Sequence, residues 1–264
     1  SADYEMTSVG SLGVGQTTVT GTTITVTTTA ALEAGNVAVC VLAKDETGTG
    51  TTDGDANAQF TSATDAASND WYEAYEYCNM QDASAATGAC AAVYYTHAES
   101  DLASGETITF TVASSDSKAA SCWEYSADRG ATLKVAMGTT GEVQDAADPG
   151  SLTIESGDVQ NYLWVRALAV ESDDANLTPT ATFTGFTITG AVADPGADAI
   201  SMEALGEWLL EDAVEDSTAS NPATAADFDS ASVFTGFYLA GPTPRGVRDS
   251  LADIHFGPTS GDIE

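Results

Sequence analysis

Apolar positions along this chain recur every second residue or gather in short runs, and both patterns point to strands. Residues 22–29 (TTITVTTT) alternate Thr with Ile24 and Val26. Residues 36–43 (NVAVCVLA) are almost continuously apolar, which predicts a strand covered on both faces. At 71–78 (WYEAYEYC) aromatic residues alternate with acidic or small ones. Further strands are expected at 90–97 (CAAVYYTH), 106–113 (ETITFTVA) and 119–125 (AASCWEY), with turn-rich segments between them.

The second half repeats the plan in outline. Residues 161–170 (NYLWVRALAV) mirror NVAVCVLA, and each run leads into an acidic loop, KDETGTGTTDGDAN at 44–57 and ESDDAN at 171–176. A Thr/Phe strand follows at 182–189 (TFTGFTIT); 201–210 (SMEALGEWLL) parallels AAVYYTHA, and 232–240 (SVFTGFYLA) parallels AASCWEY. Met202, Leu205, Leu209 and Leu210 also fit a helical period, but the place of this segment in the repeat favours strand. The expectation is an all-β fold, an antiparallel, jelly-roll-like β-sandwich, arranged as two tandem related sandwiches; the alternative is one larger sandwich using all the strands. The organisation read from the chain is an N-terminal Gly-rich arm over 1–20, a first module over 21–145, a second over 146–240 and an extended tail over 241–264. The linker is placed at 145–150 (DAADPG), where Pro and Gly break a strand. The tail holds Arg245 and Arg248 among few basic residues, together with Ile254 and Phe256, and reads as a docking arm or a frayed terminus.

Charge changes the picture most. Forty acidic residues stand against seven basic ones, a net charge of −33. In dilute buffer such a surface repels itself and destabilises the compact state. At molar salt the Debye length falls to about 3 Å and the repulsion is quenched. Lys44, Lys118 and Lys134 are the three lysines, while Asp and Thr dominate, as expected of a protein that works in brine with bulk K⁺ or Na⁺ for stability. The acids are spread among apolar segments, and 43% of residues are hydrophobic, enough for a packed core. Phosphate backbones and anionic membrane surfaces require basic patches, so the charge argues against nucleic acid and against membrane partners. No run reaches the 18 apolar residues of a spanning segment. No charged-then-apolar leader opens the sequence, as in a processed chain or one assembled into a particle inside a cell.

Candidate chemistry is sparse. Cys40, Cys78, Cys90 and Cys122 match no CxxC pattern; Cys78 closes one strand and Cys90 opens the next, which makes them a candidate disulfide, whereas Cys40 and Cys122 read as buried packing residues. His97 and His255 lie far apart, and no nucleophile elbow, zincin helix or phosphate loop accompanies them. Glu124 beside Trp123 and Glu207 beside Trp208 place acids next to aromatics, yet strand alternation sends such neighbours to opposite faces. Asp53, Asp55 and Asn57 supply oxygens at alternate positions, like the opening of a Ca²⁺ loop. Ala58 and Thr64 then stand where that loop needs Gly and Glu, leaving a looser Ca²⁺ or Mg²⁺ site or a solvated cation-attracting loop, with no cofactor required. Asn176-Leu-Thr178 is a glycosylation sequon in a loop.

Four segments carry a resemblance: NVAV at 36–39, ATDAASNDW at 63–71, VYYTH at 93–97 and CWEY at 122–125. The pattern resembles β-sandwich modules of tailed-virus structural proteins and of some secreted bacterial surface proteins, which read as NVLV, VTDsaGNtW, WYtk and aWEY/F. Ser68 replaces the Gly of the "aGN" turn, and His97 stands where a basic residue is common. The resemblance spans roughly 22–128, with 150–240 a weaker echo. It implies a structural or adhesive surface role and no catalytic residues. With the brine signature it leads to the expectation of a non-enzymatic virion protein of a haloarchaeal tailed virus, on the virion surface. There it would be a capsid decoration or turret subunit or a tail appendage, assembled as a trimer or pentamer with other virion proteins. The rival is a secreted or cell-surface carbohydrate-binding module of a halophile, in which Trp71, Tyr72, Tyr75 or Tyr77 stacks on a glycan or host-surface sugar.

Overall fold

The computed structural model describes residues 4–45, 58–79, 88–115, 117–128, 130–136, 138–146, 152–155, 161–172, 180–181, 187–193, 201–212, 216–219, 222–223 and 228–241. Every regular element among the described residues is a strand. The first eight are β1 (Met6–Thr17), β2 (Gly21–Thr27), β3 (Val37–Asp45), β4 (Phe60–Asp65), β5 (Tyr72–Asn79), β6 (Ala89–His97), β7 (Thr107–Ser115) and β8 (Lys118–Ala127). Then come β9 (Thr132–Val135), β10 (Thr139–Ala146), β11 (Leu152–Glu155), β12 (Asn161–Ser172) and β13 (Thr180–Ala181). The last are β14 (Thr187–Ala193), β15 (Ser201–Asp212), β16 (Asp216–Ala219), β17 (Pro222–Ala223) and β18 (Phe228–Ala240). The all-β class with antiparallel, sandwich-like packing read from the sequence holds, including strand at 201–210.

Two large antiparallel sheets lie face to face. One runs β1-β8-β3-β6-β5, the other β10-β18-β12-β15-β14 with β9 on β18. Between them Val37, Val39 and Val41 of β3 and Ala91 and Val93 of β6 meet Leu163, Val165 and Ala167 of β12 and Val233 and Phe237 of β18. On its opposite face the first sheet packs against the three-stranded sheet β2-β7-β4, where Ala38, Cys40 and Leu42 meet Ile24, Val26, Phe60, Ile108 and Phe110. Strand β3 therefore alternates between two cores and is buried along its whole length, as its unbroken apolar run predicts.

The strand order of the second large sheet repeats that of the first, position for position. Strands β10, β18, β12, β15 and β14 stand where β1, β8, β3, β6 and β5 stand, and the pairs β11-β16 and β13-β17 correspond to β2-β7 and β4-β7. Contacts between the large sheets follow the same exchange. Strand β1 meets β14 as β10 meets β5, β8 meets β14 as β18 meets β5, and β3 meets β15 as β12 meets β6, with β3 against β12 at the centre.

Three expectations need correction or reassignment. Residues 6–17, read as part of an arm, form β1, paired with β8 along its length. Two of its glycines, Gly13 and Gly15, serve close packing: Gly13 has φ +146°, and a Cβ there would stand 2.7 Å from the Thr27 carbonyl oxygen. Strands β9 and β10 precede the expected linker, yet both pair with β18 of the second sheet. Cys40 and Cys122, read as packing residues, are bonded to each other, because they face directly across β3 and β8 on the buried face. Cys78 and Cys90 are likewise opposite one another on β5 and β6 and form the second disulfide, as expected. The tail after Gly241, with Arg245, Arg248, His255, Ile254 and Phe256, lies outside the described residues, as do 182–186 of the expected Thr/Phe strand.

Candidate functional site

The turn between β4 and β5 is built from the DAASNDW segment that carries the sequence resemblance. Asp65 accepts hydrogen bonds from the Asn69 backbone N–H (3.0 Å), the Asn69 side-chain amide (2.9 Å) and the Trp71 indole N–H (3.0 Å). Asn69 in turn accepts from the backbone N–H groups of Glu99 and Ser100, both at 2.9 Å. Two loops are thereby fastened together, so the Asp, Asn and Trp of the motif hold the fold. Trp71 is half-buried and packs edge-on against Phe110 with centroids 6.1 Å apart. Tyr75 is also engaged, accepting the Gly138 N–H at 2.8 Å, and Tyr77 packs on the central core.

The loops so fastened border a cleft of about 410 Å³ lined by Asp70, Tyr72, Tyr95, His97, Glu99 and Thr132, with β9 forming its far wall. Tyr72 is 53% exposed, the most exposed aromatic ring among the residues whose side chains are described. It leans on Tyr95 at 5.7 Å and 34°, and Tyr95 meets the buried Phe237 at 5.2 Å and 61°. A ladder of three rings thus runs from the core to the surface. Burial, with a smaller contribution from Tyr72, raises the Tyr95 phenol above its ordinary range, so it stays protonated and able to donate. The His97 Nε2 lies 3.1 Å from the Gly35 carbonyl oxygen. In the neutral ring that bond makes Nε2 the donor and Nδ1 the acceptor. The Thr96 hydroxyl donates to the Asp70 carbonyl oxygen at 2.6 Å, which fixes the backbone carrying the Asp70 carboxylate.

A second group of acids sits behind this strand. A bulge in β5 between Glu73 and Tyr75 keeps Glu73 and Glu76 on the same face. Glu76 accepts the backbone N–H groups of Gln59 (2.7 Å) and Phe60 (3.0 Å), so it caps the start of β4, while Glu73 accepts the Tyr94 hydroxyl at 3.0 Å. Burial pushes the Glu76 carboxyl up to about 7 against those hydrogen bonds, with Glu73 adding to the rise and Lys44 opposing it. Glu73 is raised as well, again by burial first. These acids hold a strand end. Glu124 does similar work, accepting the Glu33 N–H (3.0 Å) and the Asn36 amide (2.7 Å) while its neighbour Trp123 packs on the other core.

Three of the four basic side chains that are described lie inside. Lys44, Lys118 and Arg166 are each 0% exposed. Lys44 donates to the Asp45 carbonyl oxygen at 2.9 Å, Lys118 to those of Val19 (3.0 Å) and Ser115, and Arg166 to the Ser232 hydroxyl at 3.1 Å. Lys134 is the one exposed basic residue among those whose side chains are described.

The proposed cation ligands Asp53, Asp55 and Asn57 and the sequon residue Asn176 lie outside the described residues, and among the described residues no three His, Cys, Asp or Glu side chains are grouped to hold a metal. Sequence reading named Tyr72 and His97 but missed Tyr95, Asp70, Glu99 and Thr132 as its neighbours. The pairing of Tyr72 with Tyr95 across β5 and β6 is a matter of register, and β9 carried too short an alternation to be recognised. Comparison with protein-family models, with curated proteins and with solved structures finds no match to this chain.

Proposed function

We propose that this chain is a non-enzymatic structural subunit of a haloarchaeal tailed virus particle, a capsid decoration or turret subunit or a tail appendage. In this reading it acts by assembling with copies of itself, as a trimer or pentamer, and with other virion proteins. The observation that carries the reading is the distribution of charge on a rigid body. Lys44, Lys118 and Arg166 are withdrawn into the interior of a disulfide-pinned stack of sheets, where the buried acids Asp45, Glu76 and Glu124 balance them in number, so the described interior takes up none of the net charge of −33. Such a shell is suited to molar salt, where screening removes its self-repulsion. Two disulfides support a life outside a reducing cytoplasm. The viral assignment rests on the resemblance of the NVAV, ATDAASNDW, VYYTH and CWEY segments to tailed-virus sandwich modules.

Imaging of intact particles purified from brine tests the assignment. The expected outcome is the chain present in the purified particle and a density of matching shape repeated at symmetric positions. Absence from particles overturns the virion reading. A chain that stays folded and monodisperse after dialysis into near-pure water overturns the brine reading.

A further inference from the structure

We propose that the cleft at the ends of β5 and β6 is a binding site for a neutral sugar, with Tyr72 as its stacking platform. The proposal does not need the virion assignment; it rests on the brine reading where a cationic ligand is set aside.

The platform comes first. A half-exposed ring is ordinarily free to rotate, but Tyr72 is braced by Tyr95, which is itself set against Phe237 in the core. A rigid exposed aromatic loses little side-chain entropy when a flat ligand covers it, and the C–H face of a pyranose is such a ligand. The rim comes next. Carboxylates of Asp70 and Glu99 accept hydrogen bonds, the His97 ring and the Thr132 hydroxyl complete a polar border, and the cleft has the volume of a small-ligand site. The loops that present the two acids are not free to move apart. Asn69 binds the backbone at Glu99 and Ser100, and Thr96 binds the backbone at Asp70.

The chemical class follows from what such a border accepts. Two carboxylates beside an aromatic ring call for a ligand rich in hydroxyl donors. A sulfated or uronic sugar would bring negative charge to two acids on a molecule of net charge −33. A cationic ligand could also sit over a Tyr face. In molar salt its attraction to the acids is screened beyond about 3 Å, while stacking and direct hydrogen bonding persist. The neutral sugar is the occupant that uses the ring and the acids together.

The test is saturation-transfer NMR on the full chain in molar KCl. The probes are neutral oligosaccharides of glucose, galactose, mannose and N-acetylglucosamine, with a sulfated oligosaccharide, a polyuronate and choline as comparison arms. Signals from the ring C–H protons of at least one neutral probe are expected. Tyr72→Ala is expected to weaken that probe about tenfold and Tyr72→Phe to retain it, with the melting temperature of both variants unchanged. Silence from every neutral probe, equal binding by Tyr72→Ala, or choline or an acidic sugar binding in place of the neutral ones overturns the proposal. If Tyr72→Ala melts early, Asp70→Asn with Glu99→Gln replaces it, and unchanged binding by that pair also overturns the proposal.

Discussion

At the scale of single residues, Ser68 shows how a turn can be satisfied and strained at once. Its φ is +64°, a conformation that an L-residue other than Gly, Asn or Asp adopts only at a cost. The Asp65–Asn69 hydrogen bonds hold it there. This is the position where the sandwich motifs that the segment resembles are read with Gly, and a positive φ gives a conformational reason for it. Ser68→Gly should raise stability by about 1 kcal/mol, read from denaturant midpoints at fixed salt; a loss would mean that the serine side chain contributes more than its backbone costs. Glu76 supplies a second test. Its folded-state carboxyl is raised from the ordinary 4.5 to about 7, chiefly by burial. The fold therefore favours the protonated form, and that contribution is complete below about 4.5 and fades as pH rises through about 7. Glu73 shifts in the same direction and adds to the slope. In molar salt, with surface carboxylates screened, melting temperature should fall as pH rises across this window, and Glu76→Gln should flatten the fall. A profile unchanged by that substitution would remove Glu76 as its cause.

At the scale of elements, what was legible depended on whether a feature is local. The apolar run of β3 and the alternation in β2 and β5 are local, and all three strands stand where their patterns place them. Cys78 and Cys90 were also readable, because twelve residues separate them and they flank one connection. Cys40 and Cys122 are separated by 82 residues, and only the order β8-β3-β6 brings them opposite each other. Strand β1 was hidden because its glycines resemble a flexible arm, whereas Gly13 and Gly15 mark close backbone packing against β2. The same dependence on register concealed the partnership of Tyr72 with Tyr95 and so the cleft itself. The long-range disulfide has a measurable consequence. Closing a loop of that length stabilises by roughly 4.5 kcal/mol in the chain-entropy account, against about 3 kcal/mol for the short one. All four thiols should resist alkylation until reduction, and the Cys40→Ala, Cys122→Ala double variant should lose more stability than the Cys78→Ala, Cys90→Ala pair. Two thiols labelled without reductant would rule out one bridge.

At the scale of the whole molecule, the two large sheets share one core, and that arrangement decides how the chain unfolds. If each half were a sandwich sealed on itself, the valines of β3 would stay covered once the other half had melted. Instead Val37, Val39 and Val41 have Leu163, Val165 and Phe237 as their cover. Exposing that face would forfeit roughly 1.5–3 kcal/mol for each large apolar side chain uncovered. Neither half can open without that penalty falling on the other. Calorimetry in molar salt should accordingly show one transition with equal calorimetric and van't Hoff enthalpies. Phe237→Ala, at a fully buried position between the sheets, should lower that single transition by the equivalent of about 3–5 kcal/mol. It should also loosen Tyr95, and through it Tyr72, because the ring ladder ends on Phe237. Two separate transitions, only one of them moved by the substitution, would show that the sheets merely touch; a single displaced transition with a weakened Tyr near-ultraviolet signal is the expected result.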